Sequence, residues 1–300
     1  MSKKILITGA SGLIGSQLTA MLQQKGYQVA HLGRSKKSGV VPSFVWDVAN
    51  RKIDLEALKG VSCIIHLAGA GVADKRWSDA RKKEILDSRI QSTQLLIDTL
   101  KKTDHTVESF ISASAIGYYG FTMEETVFHE ESKPGTDFLA QVTKQWEDEV
   151  DKVSTLGIRT VKLRIGIVLS NKGGALVEMA KPVRFGVGAA LGTGKQYMSW
   201  IHIDDLCNMF VKATEDANMQ GAYNAVCDWV TNKDFTKSVA QILKRPMLLP
   251  PVPAFAMKLL IGEMAAMIVN GSKVSSEKIR KTGFKFSFPD LKSALIDQLS

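Results

Sequence analysis

The sequence is short of cysteine and of long apolar runs, and each shortage excludes a class of protein. Its 300 residues include 3 cysteines, an odd number without metal-ligand spacing, so we expect neither a disulfide framework nor a metal site. The most apolar window, residues 251–271, contains Lys258 and Glu263, whereas a membrane span needs about 20 uninterrupted apolar residues. The apolar run at the amino terminus is too short for a signal peptide. These features predict a cytoplasmic protein without a membrane partner.

Acidic residues are fewer than basic ones. The chain has 39 Lys and Arg against 30 Asp and Glu, a net charge of +9. The basic residues are scattered, their densest cluster (residues 81–83) is short, and no nucleic-acid-binding signature accompanies it. We therefore expect no nucleic-acid partner. A phosphorylated cofactor would account for part of the charge.

Strand-like and helix-like segments alternate through the first half of the chain. Six apolar, strand-like runs alternate with helix-spaced segments, of which the last two are expected at about 78–102 and 136–155. This alternation predicts an α/β fold with a Rossmann-type, doubly wound parallel sheet. A strand-then-helix pattern returns at about residue 200, and the chain reads as mostly helical from about residue 230. We therefore assign residues 1–165 plus about 200–229 to the nucleotide-binding domain, and 166–199 plus 230–300 to a smaller, mostly helical substrate domain.

The segment TGASGLIG, residues 8–15, follows the first strand and opens a helix. Its three glycines permit a tight turn, a close approach of the backbone to a pyrophosphate, and packing of the helix on the strand. The positive end of the helix then faces the phosphates. The residues expected at the cofactor here are Gly9, Ser11, Gly12, Leu13, Ile14 and Gly15.

The end of the second strand lacks the acidic residue that would hydrogen-bond a ribose 2′-hydroxyl. It has Arg34 instead, and a guanidinium pairs with a 2′-phosphate, which favours NADP over NAD. Asp47, at the end of the third strand, is either an acceptor for the adenine amine or a plain turn residue. The small residues that pass under the cofactor after the fourth strand are Leu67, Ala68 and Gly69.

Motifs along nearly the whole chain resemble those of the extended short-chain dehydrogenase/reductase superfamily. TGASGLIG, HLAGAG, SASAIGYYG and WIHIDDL occur in that superfamily's order. More narrowly, AGAGVADKRW, LGTGKQYMSWIHIDDL and PAFAMKLLIGEMA are similar to the epimerase family proteins, an atypical branch of it. The resemblance implies a Rossmann domain, a small carboxyl-terminal domain and NADP binding, but it implies no substrate.

The superfamily's catalytic tyrosine is missing. In the superfamily this phenol, with a lysine four residues later, exchanges a proton with the substrate oxygen, and a serine hydrogen-bonds that oxygen. Here the three positions hold Ala140, Lys144 and Ser114. Lys144 is either a ligand of the nicotinamide ribose or a solvated helix lysine. Ser112, on the same strand face as Ser114, is expected to line the nicotinamide pocket.

Two phenols, Tyr118 and Tyr119, follow Ser114 closely. One of them replaces the absent acid, or both are wall residues of the substrate pocket. Arg89, on the preceding helix, is expected to brace the cofactor side of the sheet.

A substrate pocket is expected where the strand ends meet the carboxyl-terminal domain. Lys75, Arg76 and Trp77 combine two cations with an indole, which suits an anionic substrate with an apolar body. The alternative is a surface cluster at the start of a helix. Gln196 and Trp200, after a glycine-rich loop, are expected in the pocket wall.

Two functions of different classes fit these residues. The first is an NADP-dependent oxidoreductase or epimerase that acts on a small anionic molecule, supported by the glycine turn, Arg34 and Ser114. The second is a non-catalytic NADP(H)-binding redox sensor that acts through a protein partner, supported by Ala140 and the apolar window 251–271. A homodimer is compatible with either function.

Overall fold

The computed structural model describes residues 3–123 and 125–300. Within them the strands are β1 (Lys4–Thr8), β2 (Gln28–Gly33), β3 (Ser43–Asp47), β4 (Lys52–Ile53), β5 (Val61–His66), β6 (Ser109–Ala115), β7 (Val127–Phe128), β8 (Arg159–Ile165), β9 (Ile167–Leu169), β10 (Tyr197–His202), β11 (Gly221–Ala225), β12 (Asp228–Thr231) and β13 (Lys273–Val274). The helices are α1 (Leu13–Gln24), α2 (Asp79–Lys102), α3 (Phe138–Asp151), α4 (Ala175–Arg184), α5 (Ile203–Glu215), α6 (Asn232–Ile242), α7 (Ala254–Ile261), α8 (Ala266–Val269), α9 (Glu277–Lys281) and α10 (Leu291–Leu299). Short 3₁₀ helices span Leu55–Leu58, Ile116–Tyr119, Lys152–Leu156 and Gly262–Ala265.

The central sheet has eight strands in the order β11-β8-β6-β5-β1-β2-β3-β4. Its pairs are parallel except for the antiparallel pair β3–β4. The chain adds β2 and β3 on one side of β1 and then crosses to β5 on the other. The carboxyl ends of β1 and β5 therefore flank the crevice where sheets of this kind bind ligands. The doubly wound parallel sheet expected from the sequence is confirmed.

Helices cover both faces of this sheet. α1 packs against α5, and α2 packs against α3. Ser78 caps α2 through the amide of Arg81, and Asp137 caps α3 through the amide of Ala140. The three central residues of β1, numbers 5–7, are fully buried apolar side chains, as a parallel strand between two helical layers requires.

The chain returns to the central sheet at a different strand from the one expected. The strand predicted near residue 200 is β10, but it pairs with β9 and β12 in a separate three-stranded sheet. The strand that joins the central sheet, beside β8, is β11. Both strands are largely buried, so their hydrophobic pattern does not indicate which sheet either one enters.

The part of the chain after β11 is mostly helical, as expected. It is held to the nucleotide-binding part through Asp205 of α5, a fully buried carboxylate that accepts from the amides of Ser287 (2.7 Å) and Phe288 (3.0 Å). In residues 3–123 and 125–300, no helix has both the length and the apolar character that crossing a bilayer requires.

Candidate functional site

A cavity of about 420 Å³ opens at the carboxyl ends of β1, β2 and β5. The turns after these strands, residues 9–12, 33–35 and 67–70, form most of its lining. We call it the cofactor cleft. The residues expected at the cofactor that line it are Gly9, Ser11, Gly12, Arg34, Leu67, Ala68 and Gly69.

The turn at the start of α1 requires glycine at two positions. Gly9 has φ +66°, and a β-carbon there would lie 2.8 Å from the carbonyl of Leu67. A β-carbon on Gly15 would lie 2.6 Å from the carbonyl oxygen of Gly9. Leu13 and Ile14 follow Gly12, the N-cap of α1, which makes no side-chain capping bond. The first amides of α1 are therefore available to an anion in the cofactor cleft.

A buried hydrogen-bond chain connects the turns after β1 and β5, and no motif in the sequence predicts it. Thr8 Oγ1 accepts from the amide of Leu67 (3.1 Å) and bonds His66 Nδ1 (2.7 Å). His66 Nε2 lies 3.3 Å from the hydroxyl of Ser92 and 3.2 Å from that of Thr93. The available sequence signal was the position of Thr8 and His66 directly before the two glycine-containing turns.

These bonds assign a tautomer to His66. The hydroxyls of Ser92 and Thr93 both donate to backbone carbonyls of α2, so they accept from Nε2–H, and Thr8 donates to Nδ1. Burial, together with the charge of Arg89, lowers the pKa of His66 to about 3. The ring is therefore neutral and fixed beneath the cofactor cleft.

Arg89 braces the turn after β5 from below. Its Nη1 donates to the carbonyls of Ala70 (3.0 Å) and Ile85 (2.9 Å). A β-carbon on Gly69 would lie 3.2 Å from the guanidinium carbon. Burial, with a smaller effect of Arg81, lowers the pKa of Arg89 to about 10. The structure thus places Arg89 under the cleft and not in its lining.

The nucleotide end of the cleft is basic. Arg34 is exposed after β2 and lines the cleft together with Ser35 and Lys37. The acidic residue in the lining is Glu84 of α2, which bonds Arg81 at 2.6 Å. A guanidinium at this place can pair with a phosphate on the ribose.

Of the two roles expected for Asp47, an acceptor at the cofactor and a turn residue, the structure supports the turn residue. Its carboxylate accepts from the amide (3.1 Å) and side chain (2.8 Å) of Asn50. The neighbours Trp46 and Val48 line the cleft in its place. Strand alternation explains the difference, because Asp47 projects from the opposite face of β3.

Ser114, expected at the substrate oxygen, and Ser112, expected in the nicotinamide pocket, line neither the cofactor cleft nor the cavity between α3 and the carboxyl-terminal helices. Ser114 is buried and donates to Glu147 of α3 at 2.6 Å. Ser112 is fully buried and donates to the carbonyl of Ala113 at 2.8 Å. The physical reason is that these positions of β6 face α3, where Glu147 forms a two-pronged ion pair with Arg164 of β8 (2.8 and 2.9 Å).

The two candidate phenols differ in environment. Tyr119 is buried; its hydroxyl donates to Asn224 (2.6 Å) and accepts from Arg164 (2.9 Å). Burial raises the pKa of Tyr119 to about 12. Tyr118 is half-buried, and its ring centroid lies 3.5 Å from the guanidinium carbon of Arg164. Tyr119 is therefore a structural residue and is no longer a candidate acid, whereas Tyr118 remains one.

Lys144 and Ala140 lie one turn apart on α3. Lys144 is exposed and pairs with Asp148 at 2.6 Å, which together with the nearby Tyr118 raises its pKa. This ion pair is the arrangement expected of a solvated helix lysine. Ala140 is fully buried, and the 3₁₀ turn before it packs on α3, where a β-carbon on Gly117 would lie 3.6 Å from Leu139.

A second cavity, of about 490 Å³, lies between α3 and the carboxyl-terminal helices. We call it the apolar cavity. Trp77 lines it, donates to the carbonyl of Val72 (2.9 Å) and packs edge-on against Phe138. Lys75 and Arg76 are exposed beside it and are not in its lining; Arg76 packs against Gly262, whose added β-carbon would lie 2.8 Å from Nε.

Gln196 and Trp200 lie in the interior, which corrects their assignment to a pocket wall. Trp200 is 0% exposed, and neither cavity includes it. The side-chain amide of Gln196 donates to the carbonyls of Leu191 (2.9 Å) and Ile268 (2.8 Å). Trp200 lies in β10, which is covered on both faces, and Gln196 directly precedes this strand, so a polar residue near a tryptophan there is a packing feature.

Comparison with known proteins agrees with this architecture. Residues 5–226 match the NAD dependent epimerase/dehydratase family, and residues 252–298 match a domain of unknown function, DUF1731. The chain therefore belongs to the NAD dependent epimerase/dehydratase family, and the resemblance drawn from its motifs is confirmed.

Particular relatives extend over the whole chain. The epimerase family protein SSP1921 of Staphylococcus saprophyticus is 37% identical over 299 residues, covering 98% of this chain and 99% of that protein. The crystal structure of human epimerase family protein SDR39U1 with NADPH has a TM-score of 0.87 and 28% identity, covering 98% of each chain. A nucleoside-diphosphate sugar epimerase from Corynebacterium glutamicum has a TM-score of 0.81 and 30% identity, covering all of this chain and 58% of that one.

Proposed function

We propose that the protein is an NADP(H)-dependent oxidoreductase or epimerase that acts in the cytoplasm on a small anionic molecule. The observation that carries the proposal is the cofactor cleft, in which a glycine turn at a helix start meets Arg34 at the end of β2. The family and the NADPH in human SDR39U1 support the choice of cofactor. When bound, NADPH supplies a hydride and NADP⁺ accepts one.

The residues of the cleft fit such a dinucleotide. A β-carbon at Gly9 would collide with the backbone of the loop after β5, and one at Gly15 would collide with the glycine turn itself, so the backbone is packed as closely as a pyrophosphate cradle requires. The amides at the start of α1 would bind the phosphates, and Arg34 would bind the 2′-phosphate. His66 and Arg89 would hold the turn after β5 rigid below the cofactor.

Tyr118 is the proton donor in this proposal. It lies close to both Arg164 and Lys144, and its half-buried ring belongs to the 3₁₀ turn that follows β6. In the reductive direction Tyr118 would give its phenolic proton to the carbonyl oxygen of the substrate. In this proposal the acid lies in the 3₁₀ turn before α3, and position 140 of α3, where the superfamily has its tyrosine, holds alanine.

A non-catalytic redox sensor is the second candidate, and the surface of α7 favours it. Phe255, Leu259 and Leu260 are 76%, 78% and 71% exposed. Apolar side chains grouped on one exposed helix are typical of a protein-binding surface. In this function the cofactor would be bound but not consumed.

Transfer of deuterium separates the two functions. Protein loaded with NADPH deuterated at the transferable position is mixed with a small-molecule extract of the source cells, and mass spectrometry follows the label in a single turnover. If the protein is a reductase, the deuterium appears in a metabolite. Tyr118→Phe should slow this transfer by about 10²–10⁴-fold without weakening NADPH binding, because it removes only the acid. The matched control is Tyr27→Phe, which removes a phenol hydroxyl just before β2, at the end of that strand away from the cofactor cleft. This variant should not slow the transfer.

Each negative result has a definite meaning. No label transfer from NADPH, despite tight NADPH binding, would reject a reductase. An epimerase returns its hydride to the same substrate, so it would be rejected only if NADP⁺-loaded protein also inverts no stereocentre of a metabolite in the extract. Both negative results together would favour the sensor. Unchanged transfer in Tyr118→Phe would keep the enzyme and make Tyr118 a wall residue.

A further inference from the structure

The apolar cavity has walls from two parts of the chain. Trp77, Phe121 and Phe138 stand on the side of the nucleotide-binding part, with the Trp77 and Phe138 ring centroids 5.0 Å apart. Phe255 of α7 and Val269 of α8 stand opposite them. Such walls accommodate a planar, apolar body and offer no partner for its polar substituents.

Most polar side chains in this lining are already engaged within the protein. Both carboxylate oxygens of Asp137 accept backbone amides, from Ala140 (3.0 Å) and Phe121 (2.9 Å). Glu263 forms an ion pair with Lys82. The side-chain amide of Asn270 donates to a carbonyl of α8. Asp137 and Glu263 are acidic and already paired, and Asn270 is uncharged, so none of the three offers a cation to a ligand.

Lys258 is the exception. It is the cation in the lining, it is exposed, and no hydrogen bond or ion pair engages its ammonium group in residues 3–123 and 125–300. A cation at the mouth of an apolar cavity attracts a ligand with one anionic group and an apolar remainder.

We propose that this cavity is the substrate site and that it selects a monoanion with a planar apolar body, an aromatic carboxylate in chemical class. The inference rests on the proposed function and specifies its substrate. It departs from a nucleotide sugar, because a diphosphate and several hydroxyls would lose their water here without enough donors and acceptors to replace it. The cavity adjoins the turn that carries Tyr118 through its lining residue Leu139, because a β-carbon on Gly117, the neighbour of Tyr118, would lie 3.6 Å from Leu139.

Two probes of the same shape test the role of charge. Calorimetry would measure binding of 2-naphthoate, an anion, and of 2-naphthamide, its neutral analogue, to the NADPH-loaded protein. We expect naphthoate to bind more tightly. Lys258→Met should weaken naphthoate binding about 3–10-fold and leave naphthamide binding within twofold. Lys237→Met, at an exposed position of α6 away from the cavity, is the matched control and should change neither.

A second variant tests the location. Val269→Trp, which fills the cavity from α8, should weaken both probes at least about tenfold while NADPH affinity is retained, which also shows that the variant is folded. Naphthoate affinity that resists both substitutions, or no naphthoate binding up to millimolar concentration with NADPH bound, would overturn the inference. UDP-glucose binding that is lost in Val269→Trp would also overturn it and assign the cavity to a nucleotide sugar. If the wild-type protein does not bind NADPH, the proposed function itself would be rejected.

Discussion

The turn at the start of α1 depends on the absence of a β-carbon at Gly9. Gly9→Ala should lower the free energy of unfolding by about 1–3 kcal/mol and weaken NADPH binding. The new β-carbon would collide with the Leu67 carbonyl, and alanine is strained at the φ of +66° that Gly9 adopts. Gly60→Ala is the matched control, since Gly60 has φ +68° and open space around it. Urea denaturation and cofactor titration of both variants check this, and equal effects on NADPH binding would refute the special role of Gly9.

Arg34 is the residue expected to distinguish the two nicotinamide cofactors. Arg34→Ala should weaken NADPH binding by about 1–3 kcal/mol and leave NADH binding nearly unchanged, because it removes a partner of the 2′-phosphate. Arg245→Ala, at an exposed arginine outside the cleft, is the control. Fluorescence titration with each cofactor measures the effect. Equal losses for NADPH and NADH would assign Arg34 a structural role.

At this scale the sequence predicts backbone-driven features well and side-chain direction poorly. Gly9, Gly12 and Arg34 lie in the cleft because a turn after a strand fixes where they stand. Ser114 has the right position along β6, yet it faces Glu147 because that strand's alternation turns it toward α3. Trp200 is misplaced for a related reason, since a buried indole and a pocket indole look alike in sequence.

At the scale of elements, α2 is hydrogen-bonded to the end of β5 and, through it, to the end of β1, the two strands that flank the cofactor cleft. Through Ser92 and Thr93 it holds His66 of β5, which in turn holds Thr8 of β1. Long-range contacts of this kind cannot be predicted from the local pattern of any one element. The helix itself was predictable, because it has a serine cap and a regular apolar spacing.

The neutral histidine under these elements makes stability depend on pH. The folded pKa of His66, about 3, lies below its ordinary value of 6.5, so the unfolded chain binds a proton first as the pH falls. The stability linked to this group is therefore complete above pH 6.5 and is lost toward pH 3. Linkage gives a loss of about 2 kcal/mol between pH 8 and pH 5.

Urea denaturation across that range checks this dependence. The His66→Gln variant should show a shallower fall in the free energy of unfolding than the wild-type protein. His129→Gln, at an exposed histidine, should keep the wild-type slope. Burial also lowers the pKa of His31, and this residue contributes the same pH dependence of stability to all three proteins. Identical slopes in His66→Gln and the wild-type protein would show that His66 does not titrate as described.

At the scale of the whole molecule, the fold places the cofactor cleft at the switch point of the sheet and the apolar cavity against the carboxyl-terminal helices. The doubly wound sheet and the helical character of the last 70 residues or so follow from patterns that repeat along the chain. The assignment of β11 rather than β10 to the central sheet does not, because pairing between distant strands leaves no local signal. The apolar cavity was likewise predictable in position but not in its lining.

The central claim is that the cleft is an NADP(H) site, and a calorimetric titration of the wild-type protein tests it most directly. NADPH and NADH would be titrated in the same buffer at the same ionic strength. The account predicts that NADPH binds at least about tenfold more tightly, since a charged pair with the 2′-phosphate is worth about 1.4 kcal/mol or more. Equal affinities, or tighter binding of NADH, would contradict it.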